Sequence, residues 1–133
     1  QALSQAVQLS PNESLFWYAY GEIFRVSQRN DEAINAYRKA VALDPPYPKA
    51  LTKLGMLLAD KNQLDQAEDM LEKGTQREPK NPANYFPLGK VLAAEHKQQQ
   101  AIDAFVRFLE LAPKTDPDRS AASTALAELK REH

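Results

Sequence analysis

Small residues and prolines recur through this chain at one fixed interval, and few folds accommodate that. Gly21, Gly55 and Gly89 are spaced by 34 residues, as are Ala33, Ala67 and Ala101, and again Pro11, Pro45, Pro79 and Pro113. Three residue classes sharing one period mark an internal repeat rather than one globular core. Large apolar residues keep the same beat. They stand four before each glycine (Trp17, Leu51, Tyr85), one before it (Tyr20, Leu54, Leu88), three after it (Phe24, Leu58, Leu92) and four past each alanine (Tyr37, Leu71, Phe105). Spacings of three and four lie on one face of a helix.

Each unit therefore reads as two short helices joined by a turn. In the first unit the spacing predicts one helix over 15–27, a turn near Gln28–Asn30 and a second helix over 31–43. Glycine and alanine are small because they stand where the two helices cross, and a larger side chain would force the backbones apart. The proline stops the second helix, since it lacks the amide donor and disfavours helical geometry in the residue before it. Asp44 before Pro45 and Asn81 before Pro82 supply cap chemistry for the next unit.

This pattern closely resembles the tetratricopeptide repeat (TPR) family. Trp17, Tyr20, Gly21, Phe24, Ala33, Tyr37, Ala40 and Pro45 match its signature positions in the first unit. Leu51, Leu54, Gly55, Leu58, Ala67, Leu71, Gly74 and Pro79 match in the second, and Tyr85, Leu88, Gly89, Leu92, Ala101, Phe105 and Pro113 in the third. The resemblance implies an all-α fold, a right-handed superhelix (solenoid) of antiparallel helix pairs, with repeats at 14–47, 48–81 and 82–115. In register, Leu3, Ala6 and Pro11 match Tyr37, Ala40 and Pro45, so residues 1–13 read as the second helix of a truncated preceding repeat, and the chain as a fragment of a longer protein. Residues 116–133 read as a C-terminal capping helix, or else half of a further repeat. Its inner side is Ala122, Leu126 and Leu129; Arg119 replaces the large apolar residue and, with Glu128, Lys130 and Arg131, forms a wet outer side.

Two positions depart from the pattern. Phe108 takes the place held by Ala40 and Gly74, and Ala121, Ala122 and Ala125 on the following helix are expected to make room for it. Pro87 falls inside the third unit's first helix. Either that helix starts late, capped by Asn84, or it begins at Pro82 and bends; a distorted first turn is the expectation.

Catalytic and cofactor chemistry finds no footing in the residue pattern. There are 17 basic and 18 acidic residues, so no broad basic face awaits nucleic acid, and zero cysteines remove disulfides and thiolate sites. Apolar runs fall short of the ~20 residues that span a bilayer. His96, in a turn, and His133 have no partners at ligand spacing, every glycine is accounted for by packing, and no metal or cofactor is expected. The composition leaves the compartment open between cytoplasm and periplasm.

The resemblance directs attention to the concave groove, lined in the family by first-helix residues not used in packing. Carried over, these are Leu15, Tyr18, Ala19, Glu22 and Arg25; Lys49, Thr52, Lys53, Met56 and Ala59; and Ala83, Phe86, Pro87, Lys90 and Ala93. Tyr18, Met56 and Phe86 form an aromatic and thioether strip with lysines beside it, suited to a partner peptide or helix that is apolar with acidic flanks. Packing on neighbours is the alternative use of these side chains. The carboxylate clamp by which some TPR domains hold Hsp70 and Hsp90 tails is missing: its positions hold Tyr18 and Glu22, then Lys53, then Ala83 and Pro87. The asparagine ladder of the O-linked N-acetylglucosamine transferase TPR arm is replaced by Ala19, Lys53 and Pro87. The reading is a non-catalytic protein-interaction scaffold; self-association, or service as a regulatory arm of an enzyme, are the alternatives.

Overall fold

The computed structural model describes residues 13–43 and 46–131. Among these it forms seven α-helices and no strand: α1 (Glu13–Val26), α2 (Asn30–Ala42), α3 (Pro48–Asp60), α4 (Leu64–Arg77), α5 (Tyr85–Ala94), α6 (Gln98–Leu111) and α7 (Arg119–Arg131). A single 3₁₀ turn, Pro82–Asn84, leads into α5. The expected helix at Ala2–Leu9, the prolines Pro11 and Pro45, Asp44 and His133 lie outside the described residues. Packing follows chain order, α1 on α2, α3 on α4 and α5 on α6, with α2–α3, α4–α5 and α6–α7 joining the pairs. The result is a helical solenoid.

The small residues do what their spacing predicts. A Cβ on Gly21 would stand 2.5 Å from Tyr37 Cε1, one on Gly55 2.6 Å from Leu71 Cγ, and one on Gly89 2.7 Å from Phe105 Cε1. In each pair, the large residue of the second helix fills the notch left by the glycine of the first. Tyr37, Leu54, Leu58 and Leu71 are fully buried, and burial of each leucine is worth ~1.5–3 kcal/mol. Ala33, Ala67 and Ala101 are likewise fully buried.

The turns within the pairs share one geometry. Gln28, Asn62 and His96, again 34 apart, all sit at φ near +61° to +62°. Arg29 N–H reaches back to the Phe24 carbonyl at 2.8 Å, Gln63 N–H to that of Leu58 at 2.9 Å and Lys97 N–H to that of Leu92 at 2.9 Å. These are Schellman closures, which satisfy the last carbonyls of one helix and aim the chain into the next. The residue after the left-handed one ends with its own carbonyl accepting from Ala33, Ala67 or Ala101 at 2.9–3.0 Å, so the turn starts the second helix as it ends the first.

The departures resolve locally. Pro87 is the third residue of α5, where its missing amide is one of the first-turn donors without an intrahelical partner anyway. The helix does start late, but Asn84 does not cap it with its side chain. Capping falls to Asn81, whose Oδ1 accepts from Ala83 N–H at 3.0 Å. Asn84 is instead fully buried against Gly74, and its Oδ1 accepts from Thr52 Oγ1 at 2.6 Å. Phe108 is buried in a cluster with Phe105, Ala112 and Ala122, with Ala125, Leu126 and Leu129 packed on it. Ala121, expected in that cluster, is exposed.

Arg119 also differs from expectation. Rather than joining the wet side, its Nη1 donates to the carbonyls of Leu109 at 2.8 Å and Ala112 at 2.9 Å. A cation there satisfies terminal acceptors of α6 and opposes the negative end of its dipole. Asp116 Oδ1 accepts from Asp118 N–H at 2.8 Å ahead of α7.

Candidate functional site

The first helices of the three pairs, α1, α3 and α5, border a cleft of about 760 Å³. Of the residues selected by position, Tyr18, Lys49, Thr52, Lys53, Met56, Phe86 and Lys90 line it together, as do Ala59, Ala83 and Pro87. Leu15, Ala19, Glu22, Arg25 and Ala93 are not on its wall.

Packing holds much of this wall in place. Tyr18 lies 4.7 Å, ring centre to ring centre, from Tyr47 and 5.9 Å from Tyr37. Phe86 stands 5.3 Å from Phe108 and 6.0 Å from Phe105, with Lys90 Nζ 5.0 Å above its ring. Thr52 is committed to Asn84. Met56 is the large apolar side chain left open, at 43% exposure.

Glu22 and Arg25 serve each other. Arg25 Nε and Nη2 donate to the two Glu22 oxygens at 3.0 and 3.1 Å, and the buried Tyr37 hydroxyl donates to Glu22 Oε1. The Arg25 bonds hold the Glu22 carboxyl below the usual range, with help from Tyr37 and the charge of Lys53. Burial pushes the Tyr37 hydroxyl up, and its bond to Glu22 adds to the effect. Burial raises Tyr18 too, aided by the Glu22 charge.

Arg25, Arg29, Lys61, Lys73, Lys97 and Arg107 each pair with a carboxylate. Lys49, Lys53 and Lys90, on the cleft wall, form no ion pair among the described residues. Position on the first helices could not disclose the cleft's other contributors. Asp60, Leu64, Phe108, Asp116 and Asp118 also line it, from helix ends, second helices and the approach to α7. The 34-residue register marks helix faces, and these residues arrive by the stacking of one pair on the next.

Among the described residues no group of three or more His, Cys, Asp or Glu side chains could hold a metal. No described helix is long and apolar enough to cross a membrane.

Antiparallel helix pairs with small residues at each crossing, stacked at a 34-residue interval, define a tetratricopeptide repeat solenoid. The model of the cytochrome c-type biogenesis protein H TPR domain matches residues 1–119, and the chain belongs to that family. Over 51 residues it is 39% identical to the peroxisomal targeting signal receptor of Kluyveromyces lactis; that match takes in 38% of this chain and only 9% of the receptor. Solved structures share the fold. The first TPR of Spaghetti, bound to the HSP90 peptide SRMEEVD, superposes with a TM-score of 0.81 at 21% identity, covering 92% of this chain and 94% of that one. The Yersinia enterocolitica type III secretion chaperone SycD, in complex with a peptide of the translocator YopD, gives 0.82 at 17% identity, covering 93% and 97%. MamA gives 0.83 at 19% identity, covering 98% and 74%.

Proposed function

We propose that this chain is a non-catalytic interaction module whose cleft receives a peptide or helix of a partner protein, apolar at its centre with acidic flanks. Helix pairs over 14–47, 48–81 and 82–115 form the groove, and 116–133 close it. The observation that carries this reading is the make-up of the first-helix side of the cleft: Lys49, Lys53 and Lys90 form no ion pair among the described residues and Met56 lies open among them, while Asp60, Asp116 and Asp118 join the wall at helix ends and on the approach to α7. Unpaired cations beside apolar surface favour a segment that brings carboxylates to the edge and apolar side chains to the floor. Spaghetti and SycD hold peptides on the same fold, which supports a peptide as the ligand. With Glu22, Ala83 and Pro87 at clamp positions, the mode proposed is not the carboxylate clamp for Hsp70 or Hsp90 tails.

A displayed peptide library, selected on the intact chain and followed by calorimetry, tests this. Enriched peptides should carry acids flanking apolar residues and weaken with added salt. Lys53→Glu with Lys90→Glu should cost ~10-fold or more in affinity, as expected for lost charge complementarity. Both lysines are on the surface, so folding should survive. Selection of basic or purely polar peptides, or equal affinity for the double variant, would refute the assignment.

A further inference from the structure

One ion pair between successive helix pairs is inverted at the next junction. Lys61, just past α3, pairs with Asp31 on α2. Thirty-four residues on, the matching positions are Glu95 and Asp65, so an acid stands where the earlier junction has its lysine. α4 brings Glu68 and Glu72 to the same place, and the carboxyls of Glu95 and Glu68 are within hydrogen-bonding reach of each other. Both side chains are largely covered, at 14% and 15% exposure. Lys97 Nζ sits 2.7 Å from Glu68 Oε1 but 3.9 Å from Glu95 Oε1. That Glu95 oxygen is buried with no hydrogen-bond partner.

Two covered carboxylates served by one lysine repel if both are ionised, whereas a shared proton turns the contact into a strong hydrogen bond. The charges facing the pair are Asp65, Asp69 and Glu72 on α4, with Asp69 engaged by Lys73 at 3.2 Å, and Lys97 on the turn. The first residues of α6 are uncharged glutamines. The bond to Glu68 and then burial push Glu95 up to about 7. The same bond, with Glu72 and Lys97, holds Glu68 down at about 2, and Glu72 is pushed up by Glu68.

We propose that Glu68 and Glu95 share one proton that ties α4 to the end of α5, and that its loss to solvent on alkalinisation loosens the junction and reshapes the cleft. Leu64, beside Asp65, and Ala94, beside Glu95, both line the cleft, so the junction is continuous with its wall. Only the consequence for partners rests on the proposed function; the proton and its structural effect do not. The sign follows from linkage. Glu95 holds its proton more tightly folded than unfolded, so its contribution is complete below the ordinary glutamate range and fades as pH rises to about 7. Glu68 works in the opposite sense, losing its contribution only as pH falls towards about 2.

The test is a carboxyl NMR titration of the intact chain, with thermal unfolding from about pH 5 to about pH 8, and no partner present. Glu95 should titrate near neutrality, as one macroscopic step of a coupled pair. Wild-type Tm should fall across that range. Glu95→Gln should flatten the fall, and Glu95→Lys, which restores the Lys61 pattern, should exceed wild type at the alkaline end. Met56 methyl and Lys90 amide signals should shift with the Glu95 midpoint, and lose that shift in Glu95→Gln. A Glu95 midpoint in the ordinary carboxylate range, or an unchanged Tm slope in Glu95→Gln, would overturn the shared proton. Cleft signals that ignore the titration would overturn the link to the cleft.

Discussion

Gly55→Ala asks whether the crossing glycines are there for size. Alanine is the better helix former by ~1 kcal/mol, so on propensity alone the change stabilises α3. The structure opposes this. The new Cβ would stand 2.6 Å from Leu71 Cγ and 2.9 Å from Cδ2, about 1 Å inside ordinary carbon contact. Leu71 is fully buried among close-packed neighbours, so room for the methyl comes from parting helices α3 and α4. Overpacking of this kind costs ~1–3 kcal/mol, and a net loss of ~1–2 kcal/mol is expected once propensity is subtracted. Leu71→Ala should cost ~2–5 kcal/mol by itself. Within that background Gly55→Ala should become stabilising by ~0.5–1 kcal/mol, because the clash is gone and the methyl fills part of the void. Urea unfolding of all four chains, followed by circular dichroism, measures the coupling. If Gly55→Ala has the same sign in both backgrounds, the crossing argument fails.

Three further outcomes are expected. Gln28, at φ 61°, strains a non-glycine backbone, and Gln28→Gly should raise stability by ~0.5–1 kcal/mol in thermal unfolding. Thr52→Val removes the donor to the buried Asn84 Oδ1 and should cost ~1–3 kcal/mol in thermal unfolding, the penalty of leaving a buried acceptor unsatisfied. Glu22 is held below the usual carboxylate range chiefly by Arg25. Its contribution is therefore present above the ordinary glutamate range and lost as pH falls through its lowered value. Glu22→Gln should weaken the chain at neutral pH and flatten its acid unfolding profile, read by circular dichroism.

The repeat, its length, the identity of the packing residues and the positions of the turns were legible in the sequence. Each depends on neighbours within one helix or one pair, where periodicity and the size of a glycine or alanine carry the information. The sequence placed Arg119 and Ala121 wrongly, and left the start of α5 open between a cap at Asn84 and a distorted turn from Pro82, for the opposite reason. Asn84 has the composition of a cap, yet the space at Gly74 and a donor on Thr52, from the preceding unit, decide where its side chain goes. Arg119 reads as surface, yet free carbonyls at the end of α6 draw it in.

The same division holds at the cleft. The sequence by itself, through its resemblance to the family, brought Tyr18, Lys53, Met56, Phe86 and Lys90 forward as one side of the first helices. Only the stacked structure decided that Asp60, Asp116 and Asp118 join the wall, and that Glu68 meets Glu95. A 34-residue register fixes what lies above what along one face; it cannot fix how far one pair rotates on the next. That rotation is set by side-chain volumes across the junction, and it determines which charges meet.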